Sequence, residues 1–296
     1  MELMLVPQLN VKGKYQIPEG TISILSKVFS DIDKLTSVTI PETVRSIGER
    51  AFESCTNLSS ITIPDSVVSM GGSVFSGCEK LKTIRLSPNI TSIPESMFDG
   101  CEKLSSIAIP DKVTSIGDYA FNGCRLKMLD IPNGVISIGN YAFSGCSKLR
   151  SVKIPESLVS IAKNAFDDCE RLEFLEVAEG NTHFKKVDGV LFSRVNVLLV
   201  APPSLLNGEY QIPNGTKRIE KRAFFNCKNL QSVVIPESVE IISQSAFSNC
   251  SELTTVRIHD NVYSIENNVF SKCIALTNVE LPKAISEIPT KLFYEC

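Results

Sequence analysis

The chain has 296 residues, of which 43% are hydrophobic and 21% charged, and its formal net charge is -3 at pH 7. This apolar content is enough for a continuous core, but no apolar run approaches the roughly 18 residues that a membrane-spanning helix needs. The absence of such a run predicts no direct membrane insertion. Because there is no basic stripe, the sequence also predicts no nucleic acid as a partner. The segment Met1–Pro7 lacks the charged region and cleavage site of a secretory signal, so we expect any such signal to lie outside this sequence.

One repeated interval dominates the sequence from its first repeats to its last residue. The spacings between successive cysteines, from Cys55 to Cys296, are 23, 23, 23, 22, 23, 58, 23, 23 and 23, and a phenylalanine lies three positions before each cysteine. Phe29 precedes Ile32 in the same way, so eleven of the 15 phenylalanines occupy one slot. Such regularity indicates a chain built from stacked repeats.

The repeats follow the pattern LxxIxIPxxVxxIxxxAFxxC, and Leu58–Cys78 is a typical example. The pattern predicts three structural elements in each repeat. Residues 59–63 alternate polar and apolar side chains, which favours a short strand, and Pro64 ends its ladder because it has no N–H to donate. Residues 67–70 predict a second extended pass. The last element, around Phe75, predicts one helical or 3₁₀ turn. A single coil cannot bury its apolar faces alone, so the coils must stack.

The pattern resembles that of the BspA-like leucine-rich repeats, also called the Treponema pallidum type, over Leu35–Ala178 and Gly208–Cys296. Departures are few: Ser87 and His259 occupy the proline slot, Arg125 stands where two residues are usual, and Ile32 replaces cysteine. We therefore predict one leucine-rich-repeat solenoid of about 11 coils over residues 1–296. It is expected to be a right-handed β/α superhelix with a parallel β-sheet on one face, short helical or 3₁₀ turns and one β-hairpin insertion.

The long interval between Cys169 and Cys227 exceeds one repeat, and the pattern breaks over residues 178–207. Phe184–Phe192 predicts a β-hairpin within this insertion, because Asp-Gly favours a type I′ turn; the resemblance also implies such hairpins. Residues 3–35 match residues 198–230 at a constant offset. We therefore expect residues 1–14 to be part of a second insertion at a truncated N-terminus, and the chain to be a piece of a longer protein.

The cysteines predict a packed ladder of free thiols. Neighbouring coils lie about 4.8 Å apart, which is within disulfide range, but parallel inward side chains do not readily adopt the required torsion. Ile32 fills the same slot and can neither bridge nor ligate a metal. No Cys-x-x-Cys pair or histidine cluster suggests zinc, and we expect no metal and no cofactor.

Other candidates for chemistry are weak. His183 and His259, the only two histidines, have no nucleophile predicted beside them. Asp167, Asp168 and Glu170 fall in a turn, where we expect them to be solvated. The sequence has no P-loop and no G-x-S-x-G motif, so we predict no catalytic residue and a protein that is not an enzyme. Four Asn-x-Ser/Thr sequons arise easily by chance in repeats rich in serine and threonine.

The outward residues of the predicted sheet are the most plausible binding surface. In the first repeats they are mainly serine and threonine, which suggests solubility more than recognition. Apolar and charged residues mix further along, next to the insertion, and aromatic anchors dominate protein interfaces. The candidate partner-binding residues are Met128, Asp130, Lys153, Phe174 and Glu176. The alternative interpretation is a solvated sheet whose charges alternate to avoid repulsion.

The resemblance implies a surface-exposed or secreted protein that binds protein ligands. Our leading hypothesis is a non-catalytic protein-binding or adhesion module, whose partner is a host matrix or cell-surface protein. We expect a monomer located at the cell surface or secreted. The alternative is a rigid spacer that presents another domain and has no ligand of its own. A third hypothesis, an enzyme with a site hidden in the insertion, has no motif to support it.

Overall fold

The computed structural model describes residues 2–3, 13–283 and 285–296, with side chains from residue 13 onward. The chain divides into two compact units. The first comprises residues 1–149 and 157–166, and the second comprises residues 150–156 and 167–296. Each unit is built from short, mostly parallel strands that recur once or twice per repeat. The single solenoid over 1–296 and the insertion bounds 178–207 stay predictions, and most of residues 1–14 lie outside the described residues.

In chain order the strands are β1 (Glu2–Leu3), β2 (Lys14–Gln16), β3 (Ser23–Ile24), β4 (Ser37–Thr39), β5 (Ser46–Ile47), β6 (Ser60–Thr62), β7 (Ser69–Met70), β8 (Thr83–Arg85), β9 (Ser92–Ile93), β10 (Ser115–Ile116), β11 (Met128–Asp130), β12 (Ser137–Ile138), β13 (Ser151–Ile154), β14 (Ser160–Ile161), β15 (Phe174–Val177), β16 (Phe184–Val187), β17 (Val190–Ser193), β18 (Val197–Val200), β19 (Gly208–Gln211), β20 (Arg218–Ile219), β21 (Leu230–Val234), β22 (Ile241–Ile242), β23 (Thr255–Arg257), β24 (Ser264–Ile265) and β25 (Asn278–Glu280).

The strands of the repeats fall into two sets, which we call front and back strands. A front strand is the first strand of its repeat and in most repeats begins just after the first leucine. The back strand is the second, and it follows after the proline turn. In the first unit, β2-β4-β6-β8 form a front sheet, and β1-β3-β5-β7 and β9-β10-β12-β14 form back sheets. In the second unit, β13 pairs with β15 and β19-β21-β23-β25 form front sheets. The back sheet there has the order β16-β17-β18-β20-β22-β24.

Equivalent residues of successive repeats pair across the strands. Ser37 is the partner of Ser60, and Ser60 is the partner of Thr83, so the sheet register advances by one repeat per turn. Inward side chains are buried and outward ones are exposed, as in the exposed-buried-exposed pattern of β6. The proline after each front strand opens a turn, in which Val67 N–H donates to the Pro64 carbonyl at 3.1 Å. The predicted strands and their turns are therefore present.

The predicted helical or 3₁₀ turns are wrong, and with them the β/α character of the predicted superhelix, because the described residues contain no helix. Two residues of each typical repeat have a left-handed backbone instead. Around Phe121 these are Tyr119, with φ of 55°, and Gly123, with φ of 71°. Helices need consecutive residues near φ of about -60°, so a left-handed residue on each side of the phenylalanine prevents one. The Phe121 N–H donates instead to Ala142 of the next repeat at 2.7 Å.

Phenylalanine rings form the centre of both units. Consecutive rings stack with centroids 4.7–5.9 Å apart and interplanar angles of 5–16°. The first unit's ladder contains Phe29, Phe52, Phe75, Phe98, Phe121, Phe143 and Phe166, and the second unit's contains Phe224, Phe247, Phe270 and Phe293. A tyrosine contacts the first ring of each ladder, Tyr15 at 68° and Tyr210 at 57°.

The Asp188-Gly189 turn joins the antiparallel strands β16 and β17. Both turn residues have positive φ, 49° and 81°, as a type I′ turn requires. The next strand, β18, pairs with β20 in parallel, and its Leu198 is the partner of Ile219. In the first unit, Leu3 pairs with Ile24 in the same way. The two pairs are related by the same offset as the sequence match between residues 3–35 and 198–230, so β1 occupies the place that β18 has in the insertion.

Candidate functional site

The front strands carry all five predicted binding residues on their outward side. Met128 and Asp130 lie on β11 in the first unit, and the Met128 side chain is 73% exposed. In the second unit, Lys153 lies on β13 opposite Glu176 of β15. Phe174 begins β15 and is 58% exposed. The parallel pairing of β13 with β15 therefore brings Lys153, Phe174 and Glu176 together on one face.

Neighbouring front residues form exposed ion pairs. Arg150 and Glu173, which directly precede the strands β13 and β15, form an exposed ion pair at 3.4 Å. Further along the second unit, Arg257 pairs with Glu280 at 3.2 Å. Val234 lies beside them and is 48% exposed. Exposed ion pairs of this kind contribute about 0–1 kcal/mol to stability, so they keep the surface soluble more than they hold it together.

The two residues that replace proline, Ser87 and His259, each form a side-chain hydrogen bond to a carbonyl of the preceding repeat. The Ser87 hydroxyl donates to the Val67 carbonyl at 2.6 Å. His259 Nε2 lies 2.6 Å from the Pro236 carbonyl, while the Asn261 N–H points at its Nδ1 at 3.3 Å. That carbonyl can only accept, so the ring carries its proton on Nε2. Both its nitrogens are used in the turn, so His259 has a structural role.

Asp167 was expected to be solvated, but it is buried in the structure. Its side chain is 6% exposed, and its Oδ2 lies 2.7 Å from Arg222 Nε. The Arg222 guanidinium also lies 3.5 Å from the centre of the Phe225 ring. Burial raises the pKa of Asp167 to about 7, although Arg222 acts to lower it. Arg222 lies in the first repeat after the insertion, so spacing along the sequence does not predict this contact.

Asp168 and Glu170 do stay partly exposed, and both bind residues that follow the insertion. The Asn226 side-chain amide donates to Asp168 at 2.7 Å, and Lys228 pairs with Glu170 at 3.0 Å. Each pair is separated by the same interval as Cys169 and Cys227. These contacts therefore tie the turn before the insertion to the turn after it.

The cysteine thiols have a role that the sequence did not indicate. Eight of them lie 2.9–3.3 Å from a phenylalanine carbonyl oxygen of the preceding repeat, as Cys101 does from Phe75. No disulfide joins them, and nine of the ten are buried. Burial raises the pKa of Cys55 and Cys146 to about 12, so these thiols keep their protons and act as donors. The ladder serves the backbone rather than nucleophilic chemistry.

No group of three or more His, Cys, Asp or Glu side chains among the described residues is placed to hold a metal ion. No helix in that part of the chain is long and apolar enough to span a bilayer.

Comparisons with known proteins agree with this fold. A leucine rich cell surface protein from Faecalibacterium prausnitzii A2-165 is 28% identical, with a TM-score of 0.81 over 96% of this chain and 85% of that one. A leucine-rich repeat protein from Eubacterium ventriosum ATCC 27560 is 26% identical, with a TM-score of 0.70. That match covers 89% of this chain but only 64% of the other. No curated protein matches the chain.

The family comparison extends over nearly all of the sequence. Residues 12–127, 114–198 and 207–296 match the BspA type leucine rich repeat region, in six copies. This family consists of repeat scaffolds of a kind that commonly binds proteins, and it indicates no catalytic activity. Since the matched segments contain both buried ladders and nearly all the front strands, the chain belongs to the BspA type leucine-rich-repeat family.

Proposed function

We propose that this chain is a non-catalytic protein-binding or adhesion module that uses the outward side of its front strands. The observation that carries the proposal is the exposure of Phe174, which is 58% accessible on a paired strand. The equivalent positions on β13, β21 and β23 of the same unit are Ser151, Ser232 and Thr255. An aromatic ring on a face of short hydroxyl side chains offers a large apolar area for a partner to cover.

The charges around this ring fit the rim of an interface. Lys153 and Glu176 are exposed side by side on the paired strands β13 and β15. Charged residues at a rim contribute more to association rate and to specificity than to affinity. Met128 and Asp130, on β11 of the first unit, are proposed as further partner contacts. Phe174 would then be the anchor, and a monomer would be sufficient for binding.

The proposed location is the cell surface or the extracellular space, and the proposed ligand is a host matrix or cell-surface protein. Support comes from the similar protein of Faecalibacterium prausnitzii, which is described as a cell surface protein. Leucine-rich-repeat folds in general present extended surfaces to protein ligands.

The test is binding of the purified chain to immobilised fibronectin, laminin and collagen, measured by biolayer interferometry. Phe174→Ser should weaken binding at least tenfold, and Lys153→Ala should reduce the association rate a few-fold. Tyr263→Ser is the matched control, because Tyr263 is 61% exposed but lies just before the back strand β24 of the same unit. Absence of binding to all three proteins, or equal loss in Phe174→Ser and Tyr263→Ser, would contradict the proposal.

The alternative is a rigid spacer with no ligand, and one observation favours it. The front strands β4 and β6 expose only serine and threonine, which offer no apolar anchor. A spacer should bind none of the three matrix proteins, and Phe174→Ser should then have no effect beyond stability.

A further inference from the structure

Two tyrosine rings form a short exposed stack on the first unit, away from its front strands. They lie on what we call the turn side, the outward residues between each back strand and the phenylalanine that follows it. Tyr119 and Tyr141 occupy the same position there in successive repeats, and their ring centroids are 5.0 Å apart at an interplanar angle of 18°. Tyr119 is nevertheless 38% exposed, although Tyr141 covers one face of its ring.

The other face of the Tyr119 ring looks towards the preceding repeat, where Ser96 holds the same position. The two repeats are in direct contact, since Ser96 N–H donates to the Asp118 carbonyl at 2.8 Å. Ser96 and Tyr119 also have the same left-handed backbone, with φ of 53° and 55°. The serine side chain is too short to cover the ring of the next repeat. A space for one more stacked ring therefore lies above Ser96.

A cavity of about 380 Å³ lies beside this space on the same turn side. Gly72 and Ser73 form its floor, since both are shorter than the residues at these positions in the preceding repeat. Ser96 directly follows the lining residue Glu95 in the chain, so the cavity borders the space beside Tyr119. The residues that line the cavity are Glu49, Arg50, Gly72, Ser73, Pro94 and Glu95.

The charged groups of the cavity are mainly hydrogen-bond acceptors. Glu95 is exposed, and its carboxylate forms no hydrogen bond or ion pair with another described residue. At the far end, the Glu49 carboxylate is 3.4 Å from Arg50 Nε, and both side chains are exposed. An occupant must therefore offer hydrogen-bond donors to carboxylates, an acceptor to Arg50 and an apolar face to Tyr119.

A sugar ring meets all three requirements. The C–H groups on one side of a pyranose ring can pack against an aromatic face, while its hydroxyls both donate and accept hydrogen bonds. A purely aromatic ligand would desolvate the Glu95 carboxylate without giving it a partner, which costs free energy. An acidic ligand such as a phosphate would be repelled by Glu49 and Glu95.

We propose that the turn side of the first unit binds the end of a carbohydrate chain, with its terminal sugar ring stacked on Tyr119 above Ser96. Hydroxyls of this ring donate to the Glu95 carboxylate. The next sugar lies in the cavity, where Arg50 donates to its oxygens. The front strands take no part, so this site goes beyond the proposed function.

The test starts with a printed array of oligosaccharides that end in glucose, galactose, mannose, fucose or N-acetylglucosamine, probed with the whole chain. The oligosaccharide with the strongest signal is then titrated by calorimetry. Ser96→Tyr should weaken its binding at least tenfold, because a third ring fills the space in a backbone conformation that Tyr119 already adopts. Ser245→Tyr is the matched control, since Ser245 holds the same repeat position in the second unit with φ of 57°. That variant should bind within twofold of the parent chain.

Two changes at the tyrosine itself test the stacking contact. Tyr119→Ala should weaken binding at least tenfold, whereas Tyr119→Phe keeps the ring face and should bind within threefold. Urea denaturation of each variant shows whether the fold is kept.

The proposal is overturned if no oligosaccharide binds, if Ser96→Tyr and Ser245→Tyr behave alike, or if Tyr119→Ala binds as well as the parent chain. A hexa-arginine peptide covers the other class of partner that carboxylates attract. Its binding, lost in Ser96→Tyr while no oligosaccharide binds, would overturn the proposal in favour of a cationic protein segment. Phe174→Ser should leave oligosaccharide binding intact, so failure on matrix proteins with success here would reject the proposed function alone.

Discussion

The two units share their buried chemistry and differ on their back surface. Both have a stacked phenylalanine ladder that begins next to a tyrosine, and thiols of both donate to carbonyls of the preceding repeat. In the first unit, β1 begins with Glu2, and the other seven back strands, β3, β5, β7, β9, β10, β12 and β14, all begin with serine. In the second, β20, β22 and β24 begin with arginine, isoleucine and serine.

The residue after each back strand differs between the units too. It is Leu25, Gly48, Gly71, Pro94, Gly117, Gly139 or Ala162 in the first unit, and Glu220, Ser243 or Glu266 in the second. Over these two positions those seven strands of the first unit have no charged residue, whereas Arg218, Glu220 and Glu266 are charged in the second unit. The comparison teaches that stacking selects the same phenylalanine and cysteine slots in both units, while the first residue of a back strand and the residue after it differ between the units.

Removal of one ladder ring should have the largest effect, and it should be equal in the two units. Phe75→Ala and Phe247→Ala each remove a fully buried ring that is stacked on both sides. Each should lower the free energy of unfolding by about 3–5 kcal/mol, measured by urea denaturation. Phe174→Ala, at an exposed position, should cost less than about 0.5 kcal/mol. A cost below about 1 kcal/mol for only one of the two buried rings would break the comparison.

The second unit should show a pH dependence that the first lacks, because Asp167 is buried beside Arg222. Its pKa rises from 3.8 to about 7 in the folded chain. The unfolded chain therefore loses this proton near pH 4 while the folded chain keeps it, so stability falls as pH rises from about 4 to about 7. At about 1.36 kcal/mol per pKa unit the decrease is on the order of 4 kcal/mol.

Urea denaturation at pH 4, 5.5, 7 and 8 measures this decrease. Asp167→Asn should flatten it, whereas Asp168→Asn, at a partly exposed position, should not. An unchanged slope in Asp167→Asn would show that other groups cause the dependence.

Much of this fold could be predicted from the sequence, because the inward slots are visible as a period. The phenylalanine slot, the strands and the Asp188-Gly189 turn follow from residue types and spacing alone. The prediction of a helical turn was wrong because residue type does not reveal the left-handed backbone of residues such as Ser73 and Tyr119. The burial of Asp167 was not foreseen, since it depends on Arg222, a residue that the fold brings close. The proposed surface around Phe174 stays a prediction.

Close approach of successive repeats should make the first unit intolerant of side chains that the second accepts. A Cβ added to Gly71 would lie 2.4 Å from the Glu49 nitrogen, far inside contact distance. Gly71→Ala should therefore cost about 1–3 kcal/mol in urea denaturation, as overpacking does. Gly72→Ala is the matched control, because its nearest neighbour, the Glu95 carbonyl oxygen, would lie at 3.3 Å. Equal costs for the two variants would mean that spacing between repeats is not what selects glycine at Gly71.

The smallest effect is expected at the equivalent position of the second unit, and its sign should be opposite. Ser243 is 2% exposed, and its hydroxyl is buried without a hydrogen-bond partner among the described residues. Burying such a group costs free energy, so Ser243→Ala should raise the free energy of unfolding by about 0.5–1 kcal/mol. Ser264→Ala, on the outward side of β24, should change it by less. A loss of stability in Ser243→Ala would show that the hydroxyl binds an ordered water, and that the second unit also depends on the exact side chain at this position.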